Sequence, residues 1–303
     1  MLSARWIGPL CAVFGVLGFS FKAILIKLAY RDESIDAITL LTLRMLYAAP
    51  FFLAMAAWAE RAPQATPISR DDRMRLLWLG CIGYYLASLL DFMGLQYITA
   101  SLERLVLFMY PTLVVLFSAL LLGRPITRRA VAALVLSYAG IAFVFWHDLR
   151  FTGNAGATMT GGALVFASAI LYALYLVQAG GVIARLGSLR FIAWAMLAST
   201  VFIVAQFLLT RPLAALAVPG PIHAISLAMA IFATVLPTWL IAESIKRMGA
   251  NAASLLGSLG PVFTIGLGAM ILGEPIHAIQ LAGAALVLGG VMLVTWKPGV
   301  AAP

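Results

Sequence analysis

The chain repeats part of its own sequence. Residues 100–146 align without a gap with residues 250–296, and 13 of the 47 paired positions are identical. The identical pairs include Pro111 with Pro261, Gly123 with Gly273, Gly140 with Gly290, and Trp146 with Trp296. A repeat of this length inside an apolar chain is typical of membrane proteins built from two related halves.

The composition also indicates a membrane-embedded chain. Hydrophobic residues make up 63% of the sequence and charged residues only 10%, whereas a soluble domain carries about 25% charged residues. Apolar stretches of about 20 residues, long enough to cross a bilayer core, recur throughout. We predict ten spans and therefore an all-α integral membrane protein without a soluble domain. The predicted spans are 6–30, 37–59, 76–97, 101–122, 129–147, 160–183, 189–210, 222–243, 251–272 and 277–296.

The net charge of +9 is distributed unevenly between the two sides of the predicted bundle. With ten spans and a cytoplasmic N-terminus, the inner segments hold 13 of the 20 lysines and arginines. The outer loops hold only Arg31, Arg150 and Arg211. This bias predicts that both termini are cytoplasmic, and it makes anionic lipid, not nucleic acid, the expected contact of the basic residues. Cys11 and Cys81 fall inside spans and predict neither a disulfide nor a metal site.

Span parity determines how the two copies are related. Each half, 1–150 and 151–303, contains five predicted spans, so the second half must cross the membrane in the opposite sense. We therefore predict two inverted five-helix repeats around a central cavity, a design typical of secondary transporters.

The region from Gly94 to Ile126 (GLQYITASLERLVLFMYPTLVVLFSALLLGRPI) resembles the drug/metabolite transporter superfamily, and most closely its ten-helix EamA type. The second copy, from Ser244 to Ile276, is more similar to that pattern because it has Gly260-Pro261 and ILGEPI. The first copy departs from it by having Arg124 where the second has Glu274. The resemblance implies a basket of helices around a cavity and export of amino acids, drugs or other small metabolites.

Six ionisable residues lie inside predicted spans, all in the first half and all toward the outer side: Lys22, Lys27, Arg44, Asp91, Glu103 and Arg104. Such residues are costly in a bilayer and are candidates for function. Two interpretations stay open. In the first, Asp91 and Glu103 neutralise Lys22, Arg44 or Arg104 and these pairs hold spans 1–4 together, with Lys27 reaching the interface. Alternatively, a cation binds a substrate carboxylate or an acid carries a coupling proton, with Lys22 and Asp91 the foremost candidates.

Aromatic and amide side chains at mid-depth are the remaining candidates for lining the cavity. These are Tyr84, Tyr85, Tyr110, Tyr172, Tyr175, Gln178 and Trp239. Each could equally be core packing, but together they describe an apolar site with few polar groups, which suits neutral or aromatic substrates. Four prolines inside spans are hinge candidates, because proline removes a helix hydrogen bond: Pro50, Pro111, Pro237 and Pro261.

The sequence therefore favours an exporter of neutral or aromatic amino acids in a bacterial inner membrane, working by alternating access. A drug or other metabolite exporter is the alternative, and a sugar-nucleotide exchanger or a channel is a weaker one. No nucleotide-binding loop, protease motif or zinc spacing occurs in the sequence, so we expect no enzyme activity, cofactor or metal. The expected partners are a small-molecule substrate and membrane lipid, and a monomer suffices.

Overall fold

The computed structural model describes residues 6–31, 35–61, 67–123, 125–151 and 154–295, and these are helical with no strand among them. Arg124 and Trp296, two positions used in the repeat comparison, lie outside the described residues. The helices, numbered here in chain order, are α1 Ile7–Tyr30, α2 Ala37–Glu60, α3 Arg70–Gly94, α4 Ala100–Leu122, α5 Arg128–Phe151, α6 Ala155–Leu186, α7 Ser188–Thr210, α8 Gly220–Gly249, α9 Gly260–Leu272 and α10 Ala278–Thr295.

The helices follow the predicted spans, with differences at their ends. Eight of them, α1 to α8, are long and apolar enough to cross a membrane, whereas α9 and α10 are apolar but shorter. The α3 helix begins at Arg70, before the predicted start, because Ser69 and Asp72 form a capping box that satisfies its first backbone N–H groups. Its predicted end at 97 was too late, since residues 95–99 form the turn into α4.

Four helices are interrupted at corresponding depths. A π-helical segment occurs in α3 at Gly80–Leu86 and another in α8 at Ile231–Val235. The α4 helix has a turn at residues 108–109, and the helical residues 250–257 are separated from α9 by a turn at 258–259. Each of these four interruptions lies about 150 positions from one in the other half. A further π segment, Gly268–Leu272 at the end of α9, has no counterpart in α4, which is α-helical from Tyr110 to Leu122.

The helices pack in a small number of close pairs. The main pairs are α1 with α8, α3 with α6, α2 with α7, and α5 with α10; α4 also packs on α6, and α9 on α1 and α4. Glycine permits the closest approach in the α5–α10 pair. A Cβ on Gly140 would lie 2.7 Å from the Gly283 carbonyl oxygen, and one on Gly290 would lie 2.7 Å from the Ala133 carbonyl oxygen.

Polar contacts define the two ends of the bundle. At the end named here the Arg31 end, Arg211 reaches Asp36, the residue that caps α2 by accepting from the backbone N–H groups of Ile38 and Thr39. Burial alone would raise the pKa of Asp36, but hydrogen bonds from the Thr39 hydroxyl and from Arg211 outweigh it and lower that pKa.

At the opposite end, named the Arg185 end, two ion pairs join helices that are distant in sequence. Arg185 of α6 pairs with the buried Asp72 of α3, and Arg190 of α7 pairs with Glu60 at the end of α2. Trp194 also donates to Glu60, at 2.9 Å. At both ends of the bundle, ion pairs therefore join residues of the two halves of the chain.

Candidate functional site

A buried charge cluster lies where α1, α3 and α4 meet. The Lys22 ammonium is 2.6 Å from Asp91 Oδ2 and 3.9 Å from Glu103 Oε1. The Asp91 and Glu103 side chains are 2% and 0% exposed, whereas Lys22 is 17% exposed. The pairing of Lys22 with Asp91 was one of the two interpretations left open by the sequence. Lys22 is therefore the more exposed partner of its pair with Asp91.

The two arginines of the cluster are not paired with its acids in the described part of the chain. The buried Arg44 guanidinium lies 5.0 Å from the Phe92 ring centroid, a cation–π distance, and its Nε has no hydrogen-bond acceptor there. Arg104 donates to the Phe19 carbonyl at 2.6 Å and to the Thr264 hydroxyl at 3.0 Å. Arg104 thus joins α4 to α1 and α9. The contact of Lys22 with Asp91 is one of the pairs that the sequence interpretation allowed, and neither arginine forms an ion pair with an acid of the cluster among the described residues.

Four of the predicted aromatic residues form a second group, the tyrosine cluster: Tyr84, Tyr110, Tyr172 and Tyr175. The Tyr84 and Tyr175 hydroxyl oxygens are 2.9 Å apart, and the Tyr110 and Tyr172 rings meet edge to face with centroids 5.1 Å apart. Tyr172 and Tyr175 stack at 5.6 Å. The α3 and α4 helices carry members of both clusters, so the tyrosines continue from the charged region along the same helices.

The other predicted binding residues are not part of this cluster. Tyr85 stacks on Phe202 of α7, with ring centroids 5.9 Å apart. Gln178 accepts a hydrogen bond from the indole of Trp78, at 3.1 Å, on an exposed face. Trp239 is 48% exposed on α8. Among the described residues, no hydrogen bond or ring contact joins them to the tyrosine cluster, so these three residues stay predictions.

The four prolines differ in their surroundings. Pro111 and Pro261 each stand in the first turn of a helix that restarts after a break, where the missing N–H costs nothing. Pro237 follows the π segment of α8 and packs against Gly18, whose Cβ would lie 2.7 Å from the Phe232 carbonyl oxygen. Pro50 stands within α2, whose helix runs on past it. A backbone break accompanies the symmetric pair, and Pro50 shows none.

Contacts at the Arg31 end were not predicted from the sequence. The Glu274 carboxylate, just beyond α9, accepts from the backbone N–H groups of Ala100 (2.8 Å) and Ser101 (3.2 Å) and from the Ser101 hydroxyl (2.8 Å). It therefore caps the N-terminus of α4 from the other half of the chain. Arg31 also donates to the carbonyl of Leu272 at 2.8 Å.

Lys27 takes part in the same end of the bundle. Its ammonium donates to the carbonyls of Leu95 and Ile98, both at 3.1 Å, in the turn between α3 and α4. A small cavity of about 130 Å³ adjoins it, lined by Lys27, Tyr97, Ile98, Thr99, Leu102, Asp148 and Thr158. The only sequence signal for these contacts was the difference between Arg124 and Glu274 at equivalent repeat positions.

The lengths and apolar composition of the helices, together with their paired packing, are those of a multi-pass α-helical membrane protein. The chain belongs to the EamA-like transporter family, within the drug/metabolite transporter superfamily, since that family's sequence pattern matches residues 6–146 and 159–296. The match covers both halves, as the internal repeat requires.

Relatives agree with this assignment, and a solved structure agrees with the fold. The uncharacterized transporter YcbK of Bacillus subtilis is 32% identical over 299 residues, which span 95% of this chain and 91% of YcbK. The uncharacterized protein PA1977 of Pseudomonas aeruginosa is 28% identical, over 94% of this chain and 93% of its own. A solved crystal structure with 21% identity superposes with a TM-score of 0.63, covering 94% of this chain and 95% of that chain, and supports the fold.

Proposed function

We propose that this transporter exports small metabolites, foremost neutral or aromatic amino acids, across a bacterial inner membrane by alternating access. The observation that carries the substrate class is the shared placement of the charge cluster and the tyrosine cluster on α3 and α4. Lys22 offers a partly exposed ammonium for a carboxylate. The tyrosines offer aromatic faces and few hydroxyl groups for an apolar or aromatic side chain.

Alternating access is supported by reciprocal contacts between the halves. Each residue of the first half corresponds to the residue 150 positions later in the second half. When both residues of the Gly140–Gly283 contact are replaced by their counterparts, the result is the observed Gly290–Ala133 contact. The same exchange turns the pair α1–α8 into α6–α3 and the pair α4–α6 into α9–α1. Such exchange is what an inverted repeat of five plus five helices produces, with 1–150 and 151–303 as its units.

We assign the Arg31 end to the outer side of the membrane and the Arg185 end, with both termini, to the cytoplasm. The described arginines and lysines beyond the charge cluster concentrate at the Arg185 end, as positively charged cytoplasmic segments do. In this orientation, the contacts of Glu274 and Arg31 close the outer side. The charge cluster then lies toward the outer half of the bundle, beneath that closure.

A drug or other metabolite exporter is the alternative within the same class. The tyrosine cluster would also accept a flat apolar drug, and nothing in it requires a substrate amine or carboxylate. A phosphorylated sugar fits less well, because phosphate is usually held by several cations. In the described part of the chain, Arg104 donates to a backbone carbonyl and Arg44 lies against the Phe92 ring.

The test is counterflow in proteoliposomes. Protein is reconstituted with an unlabelled amino acid inside, and uptake of the same labelled amino acid is followed for a panel that includes phenylalanine, leucine, a sugar and a cationic drug. Saturable exchange of phenylalanine or leucine supports the proposal. Exchange of the drug alone would transfer the proposal to the alternative, and linear, non-saturating flux would indicate a channel.

Lys22 is tested in the same assay. Loss of one charge-assisted hydrogen bond, about 1.5–3 kcal/mol, should raise the KM of Lys22→Ala about 10- to 150-fold. Lys246→Ala is the matched control, since Lys246 is an exposed lysine of α8. A correctly inserted Lys22→Ala protein with an unchanged KM and rate would remove Lys22 from the binding site.

A further inference from the structure

A long apolar groove runs between α1 and α8. Its volume is about 530 Å³, within the range of roughly 300–1,000 Å³ for pockets that hold one small organic molecule. Its described lining residues are all Phe, Leu, Ala or Gly, including Phe14 and Leu25 of α1 and Ala228 and Phe232 of α8. None of these side chains has a hydrogen-bonding atom, so a charged or zwitterionic metabolite would lose its hydration there without compensation. The groove therefore suits a hydrocarbon.

A glycine contact between the two helices forms part of the floor of the groove. Gly18 of α1 lines the groove, and a Cβ on it would lie 2.4 Å from the ring of Pro237 and 2.7 Å from the carbonyl oxygen of Phe232. Because Gly18 has no side chain, α1 and α8 approach closely at this depth and the space above the contact stays empty. The longer side chains on either side, Phe14 and Phe232 among them, form the walls.

The groove opens on the outer surface of the bundle. Two of its lining residues, Phe14 and Phe232, are 56% and 57% exposed. Ser20 marks the opposite side of α1, since its hydroxyl donates to the carbonyl of Gly260 in α9, at 3.1 Å. Leu25 follows Ser20 by five residues, which places it about 140° around the helix axis. In a membrane, the surface that carries the groove faces lipid.

The equivalent surface in the other half of the chain is covered by protein. Ile82 lies 150 positions before Phe232, in the π segment of α3, and is only 3% exposed. It packs in a hydrophobic cluster with Phe191 and Ala195, because α7 lies across this part of α3. The α1–α8 pair thus leaves open an apolar surface that another helix covers in the α3–α6 pair.

The dimensions of the groove decide what can fill it. From Phe14 to Leu25, at about 1.5 Å for each residue, the groove is about 16 Å long. This length is close to the depth of one leaflet, about half of a hydrocarbon core of about 30 Å. The volume divided by the length gives a cross-section of about 32 Å², less than half of the roughly 80 Å² of a helix 10 Å across. A helix of a second copy is too wide, whereas one extended hydrocarbon chain has the right shape.

We propose that this groove binds one acyl chain of a membrane phospholipid. The proposal does not depend on which substrate the carrier transports. A chain in the groove contacts α1 and α8 at once, whereas a void would leave the lining side chains without partners. The bound chain therefore stabilises the α1–α8 pair. Because Lys22 stands between Phe21 and Leu25 in sequence, the chain supports α1 in the stretch that carries the ammonium of the charge cluster.

Photocrosslinking of the full-length protein tests the position of the lipid. Protein is purified in a rigid sterol-based detergent, whose fused rings are too wide for the groove, and mixed with an equimolar amount of phosphatidylethanolamine that carries a diazirine in one acyl chain. After irradiation, mass spectrometry identifies the labelled peptides. Adducts are expected within residues 14–25 and 228–240, and excess unlabelled phosphatidylethanolamine should abolish them. Adducts spread evenly over the exposed faces of all helices would overturn the proposal.

A matched pair of variants tests the groove itself. Ala228→Phe fills it, whereas Ala224→Phe places the same ring on an exposed position one turn earlier on α8 that does not line it. Ala228→Phe should lower the adduct yield about tenfold or more, because the ring takes the place of several chain methylenes. Ala224→Phe should leave the yield unchanged. If Ala228→Phe folds poorly, Phe232→Ala, which removes one wall, should also lower the yield.

Thermal unfolding in the same detergent gives a second measurement. Long-chain phosphatidylethanolamine should raise the unfolding midpoint of wild type and of Ala224→Phe but not of Ala228→Phe, because a ligand that binds only the folded protein stabilises it. A dihexanoyl lipid, whose chains are too short to fill the groove, should raise the midpoint less. An equal rise in Ala228→Phe would assign the effect to lipid elsewhere and refute the proposal. A dimer in light scattering that Ala228→Phe dissociates would also refute it, since the occupant would then be a second copy of the chain.

Discussion

The contact of Glu274 with the start of α4 should determine how often the Arg31 end opens. Glu274 accepts three hydrogen bonds, two of them from backbone N–H groups at a helix N-terminus. In Glu274→Gln, one acceptor oxygen becomes an NH₂ group and the negative charge at the N-terminus is lost. We take about 1 kcal/mol for the charge at the helix end and about 1 kcal/mol for the lost hydrogen bond, so about 2 kcal/mol in all.

A loss of about 2 kcal/mol that acts only on the closed form changes the ratio of open to closed protein about 30-fold. Spin labels at Gln96 and Ile276, two exposed positions beside the contact, report the separation of α3 from the α9–α10 connection. Double electron–electron resonance in proteoliposomes should show a larger long-distance population in Glu274→Gln than in the otherwise wild-type labelled protein.

The control for this experiment is Glu243→Gln. It removes a carboxylate of similar chemistry that pairs with Arg247 one helical turn away, at the Arg185 end. Its distance distribution should match that of the labelled wild type. Identical distributions in Glu274→Gln and Glu243→Gln would refute the reasoning, because they would mean that the Glu274 contact does not contribute to closure.

Three stability predictions can be checked by thermal unfolding in detergent, followed by tryptophan fluorescence. Gly140→Val should cost about 1–3 kcal/mol through overpacking against α10, whereas Gly289→Val, which points into open space, should cost little; equal losses would contradict the packing argument. Asp36→Ala should cost about 1 kcal/mol and Asp36→Asn much less, since asparagine also caps. Because the folded pKa of Asp36 is lowered, the contribution of its charge is present above the unfolded pKa of about 3.9 and disappears as the pH falls through the folded value; a difference between wild type and Asp36→Ala that grows on acidification would be the wrong sign. Tyr84→Phe should cost about 1 kcal/mol by leaving the Tyr175 hydroxyl without this partner, and an unchanged midpoint would show that the pair adds no stability.

Much of the helical layout could be predicted because one physical constraint dominates it. A bilayer core demands about 20 apolar residues for each crossing, and this length appears directly in the sequence. The predictions were least accurate at helix ends that are determined by polar contacts and not by the length of the apolar stretch. The start of α3 at Arg70 depends on the Ser69–Asp72 capping box and on the pair of Asp72 with Arg185, two local polar effects that a search for apolar residues passes over.

The sequence predicted candidate residues of the site but not which of them contact one another. Lys22 and Asp91 were predicted as site residues because any charged residue within an apolar span is a candidate for function. Their pairing depends on how α1 packs against α3, which the sequence does not reveal. The contact of Glu274 with Ala100 and Ser101 joins residues more than 170 positions apart and depends on a turn that only the packed helices bring into place. Arg44 lies against the Phe92 ring, a contact that a search of the sequence for opposite charges does not find.

The π segments of α3 and α8 bear on the rotational register of these helices. A π turn holds an extra residue, and one residue corresponds to about 100° of rotation about the helix axis. Asp91 follows the segment Gly80–Leu86 on α3, so its direction toward Lys22 depends on that extra residue. If the segment tightened into a regular α-helix, the part of α3 beyond it would turn by about a quarter of a revolution, and Asp91 would face a different neighbour. The helix would not unwind, and the ion pair at the centre of the site would separate through a change of twist alone.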